Sequence, residues 1–409
     1  VRYAMIARPL NRPFFALVAA AAVAWAASVG QAAEDAPPPG ENVHLRGSFA
    51  NSRIQLQRSK KAHVAFIGGS ITEMNGYRPM VCEMLKRRFP QTAFTLTDAG
   101  IASTCSTTGA FRLASDVLGK GPVDLLFIEF AVNDDQDAHH ARRECIRGME
   151  GMLRQALRHN PHVDIVITYF VNPGMVQTLQ KGKTPLPIAA HETVAEHYAV
   201  STVDLAREVA GRIAAGKLTW KEFGGTHPAP RGNALCAGMI EAMLDRAWSG
   251  ELPAGAVKVA HKVPEPLDEL SYAAGRFVDP GQANVQSGWT LGVPDWSKLP
   301  GSKRGRFTKI PMLWADRPGA ELTLEFEGTA VGAYVVAGPD AGIVEASVDN
   351  GPAGEVNLLH RFSAGLHYPR TVMFATDLKP GRHRRAQRNT VNSAGTGLAA
   401  RIVQFVANY

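Results

Sequence analysis

The chain has 409 residues, of which 45 % are hydrophobic and 20 % are charged; this composition is typical of a folded globular protein. The length exceeds what one small hydrophobic core needs, so two domains are predicted. The formal net charge of +7 falls to +4 without the three arginines that precede the first apolar run. This charge is only mildly basic and does not imply a nucleic-acid partner.

Residues 1–33 have the pattern of a secretory signal peptide. Arg2, Arg8 and Arg12 form a positive start, the run FFALVAAAAVAWAASVG an apolar centre, and QAA a small-residue exit. A membrane anchor is the alternative, but a run of 17 residues rich in alanine is short for a span. We expect cleavage near Ala32 or Ala33, export to the periplasm or the medium, and no membrane anchor afterwards.

Residues 34–59 are predicted to be a linker and edge segment, and residues 60–250 an α/β domain. Helical patterns, such as the apolar face of Ile146, Met149 and Leu153, separate short apolar runs. The predicted strands are HVAFI at 63, FTLTD at 94, VDLLFIEF at 123, VDIVITYF at 163 and STVDL at 201. Continuous apolar strands that alternate with helices predict a doubly wound parallel sheet.

The pattern changes after residue 250. Residues 251–270 are rich in proline and are predicted to be a linker, and residues 271–409 are predicted to form an all-β sandwich. The strand candidates here are ELTLEFEG at 321, AVGAYVVAG at 330, GIVEASVDN at 342, RTVMFATDL at 370 and ARIVQFVANY at 400. The basic run RHRRAQR at 382–388 is interpreted as a solvated loop, with contact to an anionic glycan as the alternative.

The four cysteines are Cys82, Cys105, Cys145 and Cys236. Their wide spacings match no metal template, and buried thiols are favoured over a disulfide framework. Cys105 is rejected as a nucleophile because no histidine motif accompanies it. Beyond its opening Asp134, the run DDQDAHH at 134–140 is interpreted as a polar loop over the crevice rather than a metal site.

Four polar or glycine positions carry the candidate chemistry. Ser70 follows the first strand through Gly68 and Gly69, Gly100 ends the second strand, and Asn133 follows the third. Ligands of such sheets bind beyond the carboxyl ends of the strands, so these positions are expected to converge. His227 lies in the loop GGTHPAP, from which it could reach the same crevice. Alone, each motif is better explained by a turn, a cap or a surface loop than by catalysis.

Taken together and in this order, GGSIT, DAGIAST, AVND and THP resemble the four sequence blocks of the SGNH hydrolases, also called the GDSL esterase family. The resemblance covers about residues 60–248 and implies a flavodoxin-like hydrolase fold. It implies that Ser70 is the nucleophile and His227 the general base. It also implies an oxyanion hole formed by the Ser70 and Gly100 N–H groups and the Asn133 amide, with no metal or other cofactor.

The sequence departs from the family pattern in three places. Gly69 stands where an acidic residue is common and Ala131 where glycine is common; little effect is expected from either. Gly224 stands where an aspartate usually precedes the histidine by three residues, and that aspartate would orient the imidazole. Glu222, Asp204 and the Gly224 carbonyl are possible substitutes, and the carbonyl is favoured.

The expected function is therefore that of an exported serine esterase that removes short acyl groups, above all acetyl, from a small-molecule or polysaccharide ester. The carbohydrate part rests on export and on the resemblance of the β-sandwich to carbohydrate-binding accessory domains. One alternative is a lipase or lysophospholipase with an apolar crevice. Another is a carbohydrate-binding protein whose esterase site has decayed, which the glycine at 224 would motivate. The sequence leaves the oligomeric state open.

Overall fold

A computed structural model of the chain describes residues 41–349, 351–390 and 397–409. The predicted signal peptide, residues 1–33, lies outside the described residues. In the part of the chain that the structure describes, no helix is both long and apolar enough to cross a membrane.

The first part of the chain forms a six-stranded sheet in the order β1-β6-β5-β4-β2-β3. Strands β2 to β6 are parallel to their neighbours, and the short β1 adds to the edge antiparallel to β6. The strands are β1 (Val43–His44), β2 (Lys61–Gly68), β3 (Ala93–Gly100), β4 (Leu125–Glu129), β5 (Asp164–Thr168) and β6 (Ser201–Val203). The predicted doubly wound α/β fold is confirmed.

Helices connect the parallel strands. They are α1 (Ala50–Ile54), α2 (Ser70–Glu73), α3 (Tyr77–Arg88), α4 (Ser106–Asp116), α5 (Ala131–Gln136), α6 (Arg142–His159), α7 (Pro173–Gln180), α8 (Leu186–His197), α9 (Leu205–Ala214), α10 (Trp220–Phe223) and α11 (Pro230–Ala247). All residues of β4 and β5 are buried, because helices cover both faces of a parallel sheet. Helix α6 buries Met149, Leu153 and Leu157, as its 3.6-residue period predicts.

The strand order reverses between β2 and β4. From β2 the chain crosses to β3 on one side, and from β3 it returns to β4 on the other side. The loops at the carboxyl ends of β2 and β4 therefore leave in opposite directions and open a crevice. Ser70 follows β2 and Asn133 follows β4, so the topology places both residues at this reversal point.

The C-terminal part consists of two antiparallel sheets. One has the order β15-β12-β17-β10-β9, with β7 also paired to β17, and the other has the order β14-β13-β16-β11-β8. The strands are β7 (Gly275–Val278), β8 (Asn284–Ser287), β9 (Thr290–Gly292), β10 (Met312–Ala315), β11 (Glu321–Glu327), β12 (Ala330–Ala337), β13 (Ile343–Val348), β14 (Gly354–Asn357), β15 (Tyr368–Ala375), β16 (Arg382–Thr390) and β17 (Ala400–Asn408). This agrees with the predicted all-β part.

The interpretation of the basic run at 382–388 as a loop was wrong, because these residues belong to strand β16. The register with β11 places Arg382 opposite Glu327 and Arg384 opposite Glu325. Opposite charges on facing residues favour strand pairing. A run that looks solvated on its own can therefore be a strand when its partner strand carries the complementary charges.

The two parts share one apolar core at their contact. Tyr272 is fully buried with its ring 4.8 Å from that of Phe111 in α4, and Phe307 and Tyr334 from the β-rich part belong to the same buried cluster as the helices. The segment predicted as a linker also lies along the α/β part, where the Leu267 N–H donates to Glu150 at 2.6 Å. The β-rich part is thus packed against the α/β part rather than connected to it by a linker alone.

Candidate active site

Ser70 and His227 meet in the structure. The Ser70 hydroxyl lies 2.7 Å from Nε2 of His227, although the two residues are 157 positions apart. Ser70 is the first residue of α2, and His227 lies in the loop between α10 and α11. A hydroxyl at this distance can pass its proton to the imidazole, which is the contact that a serine nucleophile and its general base require. The structure brings these two predicted residues together.

Asn133 lies beside Gly69, the residue that precedes Ser70. A Cβ added at Gly69 would overlap with the Oδ1 atom of Asn133, so only glycine allows this approach. The Asn133 side chain is buried, and its Nδ2 donates to Asp137 Oδ2 at 2.5 Å. An amide nitrogen carries two hydrogens, and one remains for a ligand. Asn133 therefore lies in the same crevice as Ser70 and His227.

Gly100 is close to the nucleophile helix, but its contacts differ from the prediction. A Cβ at Gly100 would overlap with the backbone nitrogen of Glu73, so this glycine lets α2 pack against the end of β3. Its N–H donates to Asp98 Oδ1 at 2.9 Å, and Asp98 is in turn paired with Arg78 at 2.7 Å. In this structure the Gly100 N–H is already used, and its role as an oxyanion donor stays a prediction.

Among the described residues, none is hydrogen-bonded to Nδ1 of His227, and this includes the Gly224 carbonyl that the sequence favoured. Gly224 has φ of +102°, which is accessible to glycine and strained for other residues. A Cβ at this position would also overlap with the backbone nitrogen of Ala229. The loop therefore has no room for an aspartate at 224, and the departure from the family pattern is a property of the loop's conformation.

The two carboxylates considered as substitutes are engaged elsewhere. Glu222 accepts from the N–H and the hydroxyl of Thr219, both at 2.7 Å, in a capping box of α10. Asp204 caps α9 and accepts from the Arg207 N–H at 2.9 Å.

We expect Glu222→Ala and Asp204→Ala each to lower kcat by less than about 10-fold, because neither carboxylate holds the imidazole. Asp204→Ala should also cost about 1 kcal/mol of stability as a lost helix cap. Ester hydrolysis measured well below the unfolding temperature separates the two effects. A loss near 10,000-fold in either variant, on the scale of a neutralised triad acid, would identify that residue as the partner of His227.

Glu129, at the end of β4, is a buried acid beneath the nucleophile turn. Its carboxyl group accepts from the Gly69 N–H and from the Thr72 hydroxyl at 3.3 Å, while Oε1 has no hydrogen-bond partner among the described residues. Burial raises the pKa of Glu129 to about 8, and the hydrogen bonds from Gly69 and Thr72 oppose that rise only in part. The group is thus protonated below about pH 8, although the sequence showed only an apolar strand here.

The raised pKa of Glu129 predicts a pH-dependent stability. The folded state holds the proton more tightly than the unfolded chain, so stability should fall as pH rises from about 4.5 to about 8 and then level off. At about 1.4 kcal/mol per pKa unit, the change is a few kcal/mol. Urea unfolding across this range should show that loss in the unmodified protein relative to Glu129→Gln, which cannot titrate. Glu251→Gln, at an exposed position, is the control. Equal dependence of stability on pH in the unmodified protein and in Glu129→Gln would refute the raised pKa of Glu129.

Arg112 of α4 is a second group that the sequence did not reveal. Its guanidinium is fully buried and donates to the Ala99 carbonyl at 2.6 Å and to the Gly68 carbonyl at 2.9 Å. It therefore ties together the carboxyl ends of β2 and β3, directly behind the nucleophile turn. Burial lowers the pKa of Arg112, and Asp116 at 3.1 Å opposes that shift.

Donor atoms of Cys105, Asp134 and His140 lie within 4.8 Å of one another, as do those of Asp134, Cys145 and His191. The Asp134 carboxylate, however, already accepts from the Ser106 N–H at 2.8 Å and hydroxyl at 2.6 Å, and lies 3.0 Å from His191 Nε2. His140 and His191 help to hold the pKa of Asp134 well below its usual range, against its burial. We interpret the cluster as a hydrogen-bond network that fixes the start of α5, next to Asn133. All four cysteines are free and buried, as expected.

The chain is similar to known proteins in a sequence family and in fold. Residues 66–235 match the model of the GDSL-like Lipase/Acylhydrolase family. No curated protein sequence is significantly similar to the chain. Among solved structures, a two-domain esterase (CEX) active on acetylated mannans superposes with a TM-score of 0.72 and 22 % identity over 90 % of this chain and 97 % of that one. The structure of the same esterase co-crystallised with mannopentaose superposes with a TM-score of 0.72 and 21 % identity, over 90 % of this chain and 96 % of that one. Axe2, an acetylxylan esterase from Geobacillus stearothermophilus, gives 0.34 and 18 %, over 48 % of this chain and 97 % of that one.

Proposed function

We propose that this chain, whose residues 66–235 match the GDSL-like Lipase/Acylhydrolase family, is a carboxylic ester hydrolase. It removes acetyl groups from a polysaccharide or oligosaccharide through an acyl-enzyme. The contact of 2.7 Å between Ser70 Oγ and His227 Nε2 carries the proposal. This is the contact that a serine nucleophile and its general base require.

In the first step, Ser70 Oγ attacks the ester carbonyl while His227 Nε2 takes the hydroxyl proton. The carbonyl oxygen becomes an oxyanion, and collapse of the tetrahedral intermediate expels the sugar alkoxide, which takes the proton from the imidazolium. The acetyl group is then on Ser70. Water, deprotonated by the same imidazole, attacks this ester. Ser70 leaves and takes the proton from the imidazolium, and the acetic acid that is released ionises to acetate in solution.

The oxyanion needs donors that are in place before the reaction. Asn133 Nδ2 supplies one, because Asp137 at 2.5 Å fixes its amide plane and leaves the second hydrogen free. The Ser70 N–H supplies another and has no hydrogen-bond partner among the described residues. Gly100 is the predicted third donor and would have to exchange its bond to Asp98.

The choice of acetyl as the acyl group and of a glycan as the acceptor is supported by the fold comparison and by the exposure of the site. The esterase that shares the whole two-part architecture is described as active on acetylated mannans, so an acetylated mannan-type glycan is the first substrate to test. Ser70 is half-buried and His227 is exposed, which suits an acyl group carried on a bulky polymer. Export, as the N-terminal pattern predicts, would place the enzyme where such polymers occur.

The test is acetate release by the purified protein. Acetylated glucomannan oligosaccharides should lose acetyl groups, and p-nitrophenyl acetate should be cleaved faster than the decanoate. Equal or faster cleavage of the decanoate would contradict an acetylesterase and favour a lipase. No cleavage of any ester by the folded protein would contradict hydrolysis altogether.

A further inference from the structure

The loop of residues 100–104, which carries the predicted glycine block, is held from outside the α/β domain. Arg304, in the β-rich part, donates through Nη1 to the Ala102 carbonyl at 2.5 Å and through Nη2 to the Ser103 hydroxyl at 2.8 Å. The Tyr368 hydroxyl donates to the Ser103 carbonyl at 3.4 Å. Two side chains more than 200 residues away along the chain thus determine the position of this loop.

The same contacts reach the nucleophile helix. The Ala102 N–H donates to Glu73 Oε2 at 2.9 Å, and Glu73 is the last residue of α2, whose first residue is Ser70. Arg306 forms an ion pair with Glu73 Oε1 at 2.7 Å. Loop 100–104 and helix α2 are therefore joined through Glu73, and both are held by arginines of one short segment.

Ser103 has a backbone conformation that needs such support. Its φ of +74° is in the left-handed region, which is unfavourable for a residue other than glycine and persists when neighbouring groups enforce it. Arg304 and Tyr368 supply those groups. The Ser103 N–H has no hydrogen-bond partner among the described residues, whereas the Gly100 N–H is bonded to Asp98.

We propose that Arg304 is a positioning residue for the esterase reaction: its bidentate contact with Ala102 and Ser103 fixes loop 100–104 beside the nucleophile helix, so that a backbone N–H of this loop is aligned with the oxyanion. The β-rich part is then a component of the catalytic site in addition to any role in binding the glycan. This inference rests on the proposed function, since it concerns the rate of acyl transfer to Ser70.

The test compares Arg304→Ala and Arg304→Lys with Arg317→Ala, a control whose side chain is 87 % exposed. We expect Arg304→Ala to lower kcat for p-nitrophenyl acetate by about 10- to 100-fold with KM changed much less, since small misplacements of catalytic groups cost rate on this scale. The kcat of Arg304→Lys should lie between those of Arg304→Ala and the unmodified protein, because lysine keeps the charge but lacks the planar guanidinium that contacts two acceptors. Arg317→Ala should match the unmodified protein.

A second readout separates positioning from folding. The rate of Ser70 labelling by a fluorophosphonate depends on the same oxyanion donors, and it should fall in Arg304→Ala at temperatures where circular dichroism shows the variant folded. An unchanged kcat and labelling rate in Arg304→Ala would overturn the inference, as would a loss that only follows the unfolded fraction. If the unmodified protein is labelled but releases no acetate from glycans, the proposed substrate fails and labelling still decides the role of Arg304. If it is not labelled at all, both proposals fail.

Discussion

Ser70→Ala is expected to abolish ester hydrolysis, with a loss of at least about 10,000-fold in kcat, while the protein stays folded. In the proposed mechanism the hydroxyl is the atom that forms the acyl-enzyme, and the residual rate after removal of a triad member comes from binding and the oxyanion hole alone. His227→Ala should cause a loss of similar size, because without Nε2 at 2.7 Å the serine keeps its proton. The double variant should be hardly slower than either single variant, since the two residues act as one unit.

Acetate release under substrate saturation measures the effect, and fluorophosphonate labelling followed by peptide mapping locates the nucleophile. Ser249→Ala is the matched control, because Ser249 is exposed and its hydroxyl donates only to the Arg246 carbonyl at 2.9 Å. Labelling that persists in Ser70→Ala, or turnover within 10-fold of the unmodified protein, would show that another residue is the nucleophile.

Asn133→Ala is expected to lower kcat by about 100- to 1,000-fold, the usual cost of one oxyanion donor. KM should change much less, because the amide is needed where negative charge develops rather than in the bound ester. The substitution also removes the donor to Asp137 Oδ2 at 2.5 Å. The pKa of Asp137 is already raised by burial, against that hydrogen bond, so this carboxyl group should take up a proton more readily in the variant.

Steady-state kinetics at several substrate concentrations separates kcat from KM for this variant. Asn284→Ala is the control, since Asn284 is exposed on strand β8 and should leave both constants unchanged. A loss confined to KM would mean that Asn133 binds substrate without stabilising the oxyanion, and no loss at all would remove it from the site.

The α/β fold was predictable because its signals are local. Strands such as VDLLFIEF and VDIVITYF are continuous apolar runs, which only a sheet covered on both faces can bury. Their exact ends were less predictable: β4 stops at Glu129, because Phe130, with ψ of −3°, has left the extended conformation. The basic strand β16 was missed because its partner β11, with the complementary charges, lies more than 50 residues away.

The sequence by itself determined which residues could carry acyl transfer. Ser70 and Asn133 follow predicted strands, His227 lies in a loop, and the order of their motifs along the chain is specific. Tertiary structure alone decided how that chemistry is supported. Four features depend on groups that are far apart in the chain. They are the raised pKa of Glu129, the contacts of Arg112 with the strand ends, the lack of space for a side chain at Gly224, and the hydrogen bond from Arg304 to Ser103. Burial and close approach depend on which surfaces pack together. A short stretch of sequence does not show which distant segment will pack against it.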